Sequence, residues 1–207
     1  LEQAIPFTKK IKALFPEVTT IWGGYFASNQ SQTVIESEFV DFVIYGPGDK
    51  AFPQLLNALE SDLPLDQIEN LIFKDAGAVV KNRKAGLYDQ DELPDLPYEK
   101  LHHQYPFEGY LGKTFLGQRT VAYHSSIGCP FTCSFCAVVP IYKARWKGKS
   151  ATNIYKDISY LKERHGADAI EFHDNNFFVS EKRTVEFSNL VKKDGFNWWG
   201  EGRIDTI

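Results

Sequence analysis

The sequence predicts an α/β protein in two parts, a doubly wound sheet domain followed by a series of strand–helix steps. Two observations predict it. Short apolar runs alternate with amphipathic stretches at helical spacing, the pattern of a parallel sheet wrapped by helices. The early strands end in glycine pairs, Gly23-Gly24 and Gly46-Pro47-Gly48, as a sheet needs where a ligand crosses its carboxyl edge. A proline-marked stretch, 85–118, divides the parts. The expected boundaries are 1–84, a linker over 85–118, and 119–207.

The 207 residues allow one large or two small domains with ample apolar content for cores. No run is long and apolar enough to span a membrane, and no signal peptide opens the chain. The net charge of −4 gives no basic footprint for nucleic acid. The chain begins at Leu1 and has no methionine, so it is expected to be an interior fragment of a longer protein.

In the first part, Ile5 to Phe15 read as a helix with Phe7, Ile11, Leu14 and Phe15 inward, stopped by Pro16. Val18 to Trp22 form a strand running into Gly23-Gly24. Gln30 to Ser37 are expected to be helical. Asp41 to Tyr45 form a second buried strand, closed by Gly46-Pro47-Gly48-Asp49. The helix from Lys50 to Glu60 packs Phe52, Leu55, Leu56 and Leu59. Two short strands, 70–74 and 78–82, hinge at Gly77. Taken alone, the glycine pairs also fit ordinary turn chemistry.

In the 85–118 segment, Asp89 to Glu92 are acidic and solvated, and Pro94, Pro97 and Pro106 are expected to prevent regular structure. Tyr98, Tyr105, Phe107, Tyr110 and Phe115 suggest that it is pinned to both domains. His102-His103 read as surface residues.

Thr120 to Ser126 form a strand feeding the only cysteines, Cys129, Cys133 and Cys136. The run Gly128-Cys-Pro-Phe-Thr-Cys-Ser-Phe-Cys-Ala137 curls one short loop so that three soft thiolates face a common point. A closed structural site would want four ligands. Three cysteines can hold three irons of a 4Fe–4S cluster and leave the fourth open to a small molecule. A zinc knuckle with His124, a disulfide plus one thiol, and an electron-carrier cluster are the alternatives. Thiols without a disulfide framework point to a reducing cytosol and a cytoplasmic protein.

The basic run Ile141 to Lys149 reads as a solvated loop over the cluster. Ser150 caps a helix with Ala151, Ile154, Ile158, Leu161 and His165 in one stripe, Lys156, Asp157, Lys162 and Glu163 largely away from it, and Gly166 ending it. In the strand Asp168 to His173, Ile170 and Phe172 share one face, Glu171 and His173 the other. Asp174-Asn175-Asn176 then stand at its carboxyl end. Ser180 caps a further helix with Thr184, Phe187, Leu190 and Val191 inward, ended by Gly195. In the strand Phe196 to Gly200 and its continuation, Asn197, Trp199, Glu201 and Arg203 share a face. Asp174 and Asn175 could equally cap a turn, and Arg203 with Glu201 could equally bridge strands.

The cysteine run, with Phe135 before the last cysteine, resembles the signature of radical S-adenosylmethionine (SAM) enzymes. The resemblance implies a 4Fe–4S cluster on Cys129, Cys133 and Cys136 whose open iron chelates SAM. Reduction then splits SAM to a 5′-deoxyadenosyl radical. It also implies a flavodoxin, ferredoxin or reductase as electron donor and a small-molecule substrate. Phe135 would lie against the adenine. Asp174 and Asn175 stand where the family holds the methionine amine; they resemble the Asp-Asp-Asn-Phe form found beside cobalamin domains. Arg203 would take the SAM carboxylate by a bidentate fork, and Glu201 the amine or ribose.

Gly23-Gly24, then the Asp41 strand with Gly46 and Gly48, upstream of such a loop, resemble the second half of a cobalamin-binding domain. The fold implied is a partial Rossmann-like cobalamin-binding domain (1–84) followed by half of a radical SAM (β/α)6 barrel (119–207). The activity implied is that of a cobalamin-dependent methyltransferase. A radical SAM cyclase, oxidase or rearrangement enzyme is the runner-up, and a non-catalytic iron–sulfur electron carrier is the alternative of another class.

Overall fold

The computed structural model describes residues 2–206, which divide into two compact units, one ending at Gly86 and the other beginning at Leu87.

In the first unit, α1 (Ala4–Leu14) leads to the short β1 (Ile21–Trp22), then α2 (Gly24–Asn29) and α3 (Ser31–Glu36). β2 (Phe42–Ile44), α4 (Ala51–Ser61), β3 (Leu71–Asp75) and β4 (Ala78–Lys81) follow. The sheet order is β1-β2-β3-β4. β1 and β2 are parallel, as helical crossovers require, while β3 and β4 complete the sheet as an antiparallel hairpin. Its turn places Ala76 and Gly77 both at positive φ, the geometry that matches the twist of paired strands.

One sheet face packs Val43 and Ile72 with Ala27, Val34 and Ile35; the other packs Leu71 and Phe73 with Ala51, Leu55 and Ala58. α1 departs from its expected packing. Phe7 is 67% exposed and Leu14 61%, and no α1 residue is buried. The helix is held by its polar side instead: Lys12 Nζ sits 2.7 Å from Asp41, and Lys9 lies over the Phe39 ring. α4 likewise buries Leu55 and leaves Phe52, Leu56 and Leu59 exposed.

The second unit opens with α5 (Tyr98–Gln104) and a 3-10 turn (Phe107–Tyr110), where irregular chain was expected. Pro97 and Pro106 stand immediately before these turns, where a missing N–H costs nothing, so they start helices instead of breaking them. Tyr98 and Phe107 pack onto the core of this unit; Tyr105, Tyr110 and Phe115 stay exposed.

β5 (Thr120–Tyr123), β6 (Ser126–Gly128), α6 (Val139–Tyr142) and β7 (Trp146–Gly148) come next. They precede α7 (Ala151–His165), β8 (Ala169–Phe172), α8 (Glu181–Val191) and β9 (Asn197–Gly200). β5, β8 and β9 form a parallel sheet in the order β5-β8-β9, the strand–helix succession of a barrel wall.

Ser150 Oγ accepts from Asn153 N and Ser180 Oγ from Arg183 N, as N-caps do. Gly166 and Gly195 end their helical segments at positive φ. Ile170 and Phe172 are buried with Ile154, Ile158, Leu161, Phe187 and Val191 under the helices. Trp198 joins them through ring contacts with Phe172, Phe177 and Phe187. The opposite face, open to solvent or partly so, carries Ala122, Glu171 and Trp199 in one cross-strand row.

Candidate functional site

The cysteine loop leaves β6 at Gly128, and the chain returns through α6 to β7, which pairs antiparallel with β6 from Ser126↔Gly148 to Gly128↔Trp146. The basic 141–149 stretch, expected as a solvated loop, is thus half of a two-stranded ribbon with Tyr142 buried beneath it. Gly128 has φ +82, and a Cβ there would collide with the Arg145 carbonyl, so the residue before Cys129 admits no side chain. Cys136 N donates to Cys133 O at 3.1 Å, closing the turn between the last two thiols.

All three cysteines are free and half-buried. Their sulfurs do not all lie within 4.8 Å of one another, a spacing met by only one other group of candidate ligands among the described residues. One zinc at about 2.3 Å from each sulfur would need them closer than that. A four-iron cube binds each thiolate to a different iron and spreads them apart, so the donor set fits a cluster better than a single ion.

Two buried networks brace this ribbon. Asp174, 1% exposed, accepts from Ser125 N at 3.2 Å, from Ser125 Oγ at 3.0 Å and from Ser126 Oγ. Arg183, 6% exposed, donates through Nη1 to Ser125 Oγ at 2.9 Å and through Nη2 to Phe177 O at 3.0 Å. Its guanidinium lies over the rings of Phe177 and Trp146. Burial pulls the Arg183 basicity down, and the Asp174 carboxylate works against that shift.

In the second network Asp157 accepts from the Tyr123 hydroxyl and from Lys149 Nζ, the latter at 2.6 Å. Burial first, and then Asp157, push the Tyr123 hydroxyl far above its ordinary range. Lys149 ends the ribbon, so both networks tie β5, β8 and the helices to the strands that carry the thiols.

Asp174, expected at a ligand, is buried and accepts from two serines. Asp157, expected away from the buried stripe of its helix, lies in it. Sequence reasoning missed Ser125, Ser126, Lys149 and Arg183. A signal existed for Arg183, which precedes Phe187 by four positions on the inner stripe of α8, where an unpaired charge is costly.

Arg203 is brought to the thiols. Its Nη1 donates to Cys133 Sγ at 3.1 Å and its plane stacks on the Phe131 ring, 4.0 Å from the centroid. Nε and Nη2 grip Asp205 in a fork at 2.8 and 2.7 Å, which raises the basicity of Arg203; burial opposes this, and Cys133 adds to it. Glu201 and Asn175 are exposed, and Phe135, 91% exposed, projects into solvent. On the open sheet face Glu171 lies 3.5 Å from His173, whose ring stands edge-on to that of His124.

In the first unit, the register Ile21↔Phe42 and Trp22↔Val43 brings Gly23-Gly24 and the Gly46–Gly48 turn to the same carboxyl edge. A Cβ on Gly23 would stand 3.8 Å from the Ile44 carbonyl, while one on Gly24 would enter open space. Gly24 and Gly46 both have positive φ, at +84 and +121, which favours glycine. Ser28 Oγ accepts from Gly46 N at 2.9 Å and ties α2 to the second turn. At Gly46 a Cβ would meet the Lys84 and Asn70 side chains at 3.3 and 3.5 Å.

No protein-family model matches the chain. It is 28% identical over 208 residues, 99% of its length, to an uncharacterized methyltransferase of Pyrococcus horikoshii. It is 21% identical over 201 residues to the anaerobic magnesium-protoporphyrin IX monomethyl ester cyclase of Synechocystis, covering 95% of the chain. It spans 44% and 39% of those two proteins.

Among solved structures, the cobalamin-dependent SAM radical enzyme OxsB with aqua-cobalamin and SAM superposes with a TM-score of 0.71 at 16% identity. The match covers 93% of this chain and 27% of OxsB. The radical SAM methyltransferase TsrM from Kitasatospora setae, with cobalamin and a [4Fe-4S] cluster bound, superposes at 0.59 and 17% identity, covering 91% of this chain and 35% of TsrM. The chain therefore has the fold of the cobalamin-dependent radical SAM enzymes, and its relatives include methyltransferases and a cyclase.

Proposed function

We propose that the chain, sharing the fold of the cobalamin-dependent radical SAM enzymes, is the part of a methyltransferase that holds a 4Fe–4S cluster, SAM and one edge of a cobalamin. The observation that carries this reading is the loop of three free thiols with the Arg203 guanidinium on Cys133. When bound, the cluster and SAM supply one-electron chemistry, and the protein supplies placement.

On this reading residues 1–84 are the carboxyl-terminal half of a cobalamin-binding domain, 85–118 a linker, and 119–207 the amino-terminal half of the barrel. Cys129, Cys133 and Cys136 bind the cluster. Arg203, already planar and forked, receives the carboxylate of SAM by exchanging Asp205 for it. Glu201 and Asn175, exposed beside it, take the amine and ribose, and Phe135 folds onto the adenine. Asp174 and Arg183 hold the loop in place. Gly23, Gly24, Gly46 and Gly48 let the corrin or its tail lie against backbone.

The substrate is a small molecule, the electrons come from a flavodoxin, ferredoxin or reductase, and the setting is the reducing cytoplasm. No helix among the described residues is long and apolar enough to cross a membrane. Because one relative is a cyclase, ring closure by the same radical start is the second reading.

The test is anaerobic reconstitution of the protein carrying this chain, reduction by dithionite, and addition of SAM. Release of 5′-deoxyadenosine supports the reading, and a reducible cluster that leaves SAM intact sinks it. Transfer of the SAM methyl group to cobalamin and then to substrate separates methyltransferase from cyclase.

A further inference from the structure

The three functional groups of His102, Glu108 and His165 converge away from the cysteine loop. One ligand atom from each lies within 4.8 Å of the others, and among the described residues no other three histidine, cysteine or acidic groups are so close. They come from three elements: the last turn of α5, the 3-10 turn at Phe107–Tyr110, and the carboxyl end of α7.

His165 is 4% exposed, yet neither ring nitrogen has a hydrogen-bond partner. A neutral imidazole carries one N–H and one lone pair, and burying both unpaired costs free energy unless another group meets them. The ring lies 5.0 Å from that of His102, 4.7 Å from that of Phe107 and 5.6 Å from that of Tyr160, so it is surrounded by aromatic rings. His102 Nδ1 stands 3.7 Å from Glu108 Oε2 and accepts from Phe107 N at 3.2 Å.

We infer that His102, Glu108 and His165 form a binding site for a divalent first-row transition ion that clips the 98–110 segment to the end of α7. Two imidazoles and one carboxylate are a zinc-type set, with a fourth position left to water because Glu108 lies at the surface. Ligand distances of about 2.0–2.2 Å require the three atoms to close by roughly 1 Å, within reach of rotation in the half-exposed His102 and Glu108 side chains. The ion takes one lone pair from each neutral imidazole and one from the ionised carboxylate; His102 gives up the hydrogen bond it accepts from Phe107 N, while no covalent bond breaks and no oxidation state changes.

The probes are Zn²⁺ and Co²⁺ added to the full chain carrying Cys129→Ser, Cys133→Ser and Cys136→Ser, which removes competing thiols. Calorimetry is expected to show one equivalent bound, and Co²⁺ the visible absorption of a low-coordinate nitrogen–oxygen site. Glu108→Gln and His102→Asn, both at half-exposed or exposed positions that leave the core intact, are expected to weaken binding. The loss should be at least the roughly 10–100-fold of removing an outer partner. Absence of binding, or binding that survives both substitutions or is lost instead on His173→Ala, would overturn the assignment.

Discussion

Arg203 Nη1 donates to Cys133 Sγ at 3.1 Å, across 70 positions of sequence. The guanidinium therefore touches the thiol loop and, through its other edge, Asp205. The guanidinium is partly exposed, so water screens its charge, and Arg203→Ala should weaken SAM binding by about tenfold. Arg203→Lys, which keeps charge and loses the fork, should recover only part of it. Equilibrium dialysis with labelled SAM on the reconstituted protein decides this; unchanged affinity in the alanine variant would remove Arg203 from the site.

The cysteines should behave as a set. Each of Cys129→Ala, Cys133→Ala and Cys136→Ala should lose the brown, oxygen-sensitive chromophore, read by absorbance and iron analysis. Phe135→Ala should retain full iron while binding SAM less tightly, because the ring is exposed and packs nothing in this structure. A Cys133→Ala protein with undiminished iron would sink the cluster assignment.

Asp174 and Arg183 give a stability test independent of SAM. Arg183→Met removes the donors to Ser125 Oγ and Phe177 O and leaves those buried acceptors unpaired, at a cost of about 1–3 kcal/mol each. Denaturant titration should show that loss. A protein as stable as the parent would mean that Asp174 draws its support from Ser125 and Ser126 alone.

Gly24→Val forces a branched side chain into φ +84 at the edge proposed for cobalamin. In the intact protein it should abolish corrin retention and leave the iron chromophore, both read from one absorption spectrum. Corrin retained at the parental level would remove this edge from the site.

The Lys12–Asp41 clip makes the hold on α1 sensitive to acid. Burial raises the Asp41 carboxyl, but hydrogen bonds from Lys12 and Thr20 and the Lys12 charge bring it below its ordinary value of 3.8. A carboxylate lowered by folding binds fewer protons in the folded state, so its contribution is complete above the unfolded value and disappears as pH falls through the lowered one. Amide exchange in α1 should accelerate below about pH 4 in the parent, and Asp41→Asn should flatten that response. An unaltered acid response in Asp41→Asn would assign it to other carboxylates.

Much of this was legible in the sequence because it is local. Strand alternation fixed which of Ile170, Glu171, Phe172 and His173 face the helices, and Ser150, Gly166, Ser180 and Gly195 marked helix ends by their own chemistry. The cysteine spacing marked a loop of converging thiols without reference to the fold. What stayed hidden depends on partners far along the chain. Nothing near Asp174 says that Ser125 will sit above it, nor anything near His102 that His165 will face it. The exposure of Phe7 and Leu14 depends on how much sheet α1 meets, which helical periodicity does not encode.

The Ser125–Arg183 bond spans 58 positions, with the thiols between its ends. At about 5–20 residues per second, synthesis separates the two partners by roughly 3–12 seconds. During that interval Cys129, Cys133 and Cys136 are already made, while the buried residues that set their loop are not. On the proposed reading, cluster loading would follow the docking of α8, and the thiols would have to stay reduced until then. Oxidation in the nascent chain would compete with a folding step that lies entirely downstream of the metal ligands.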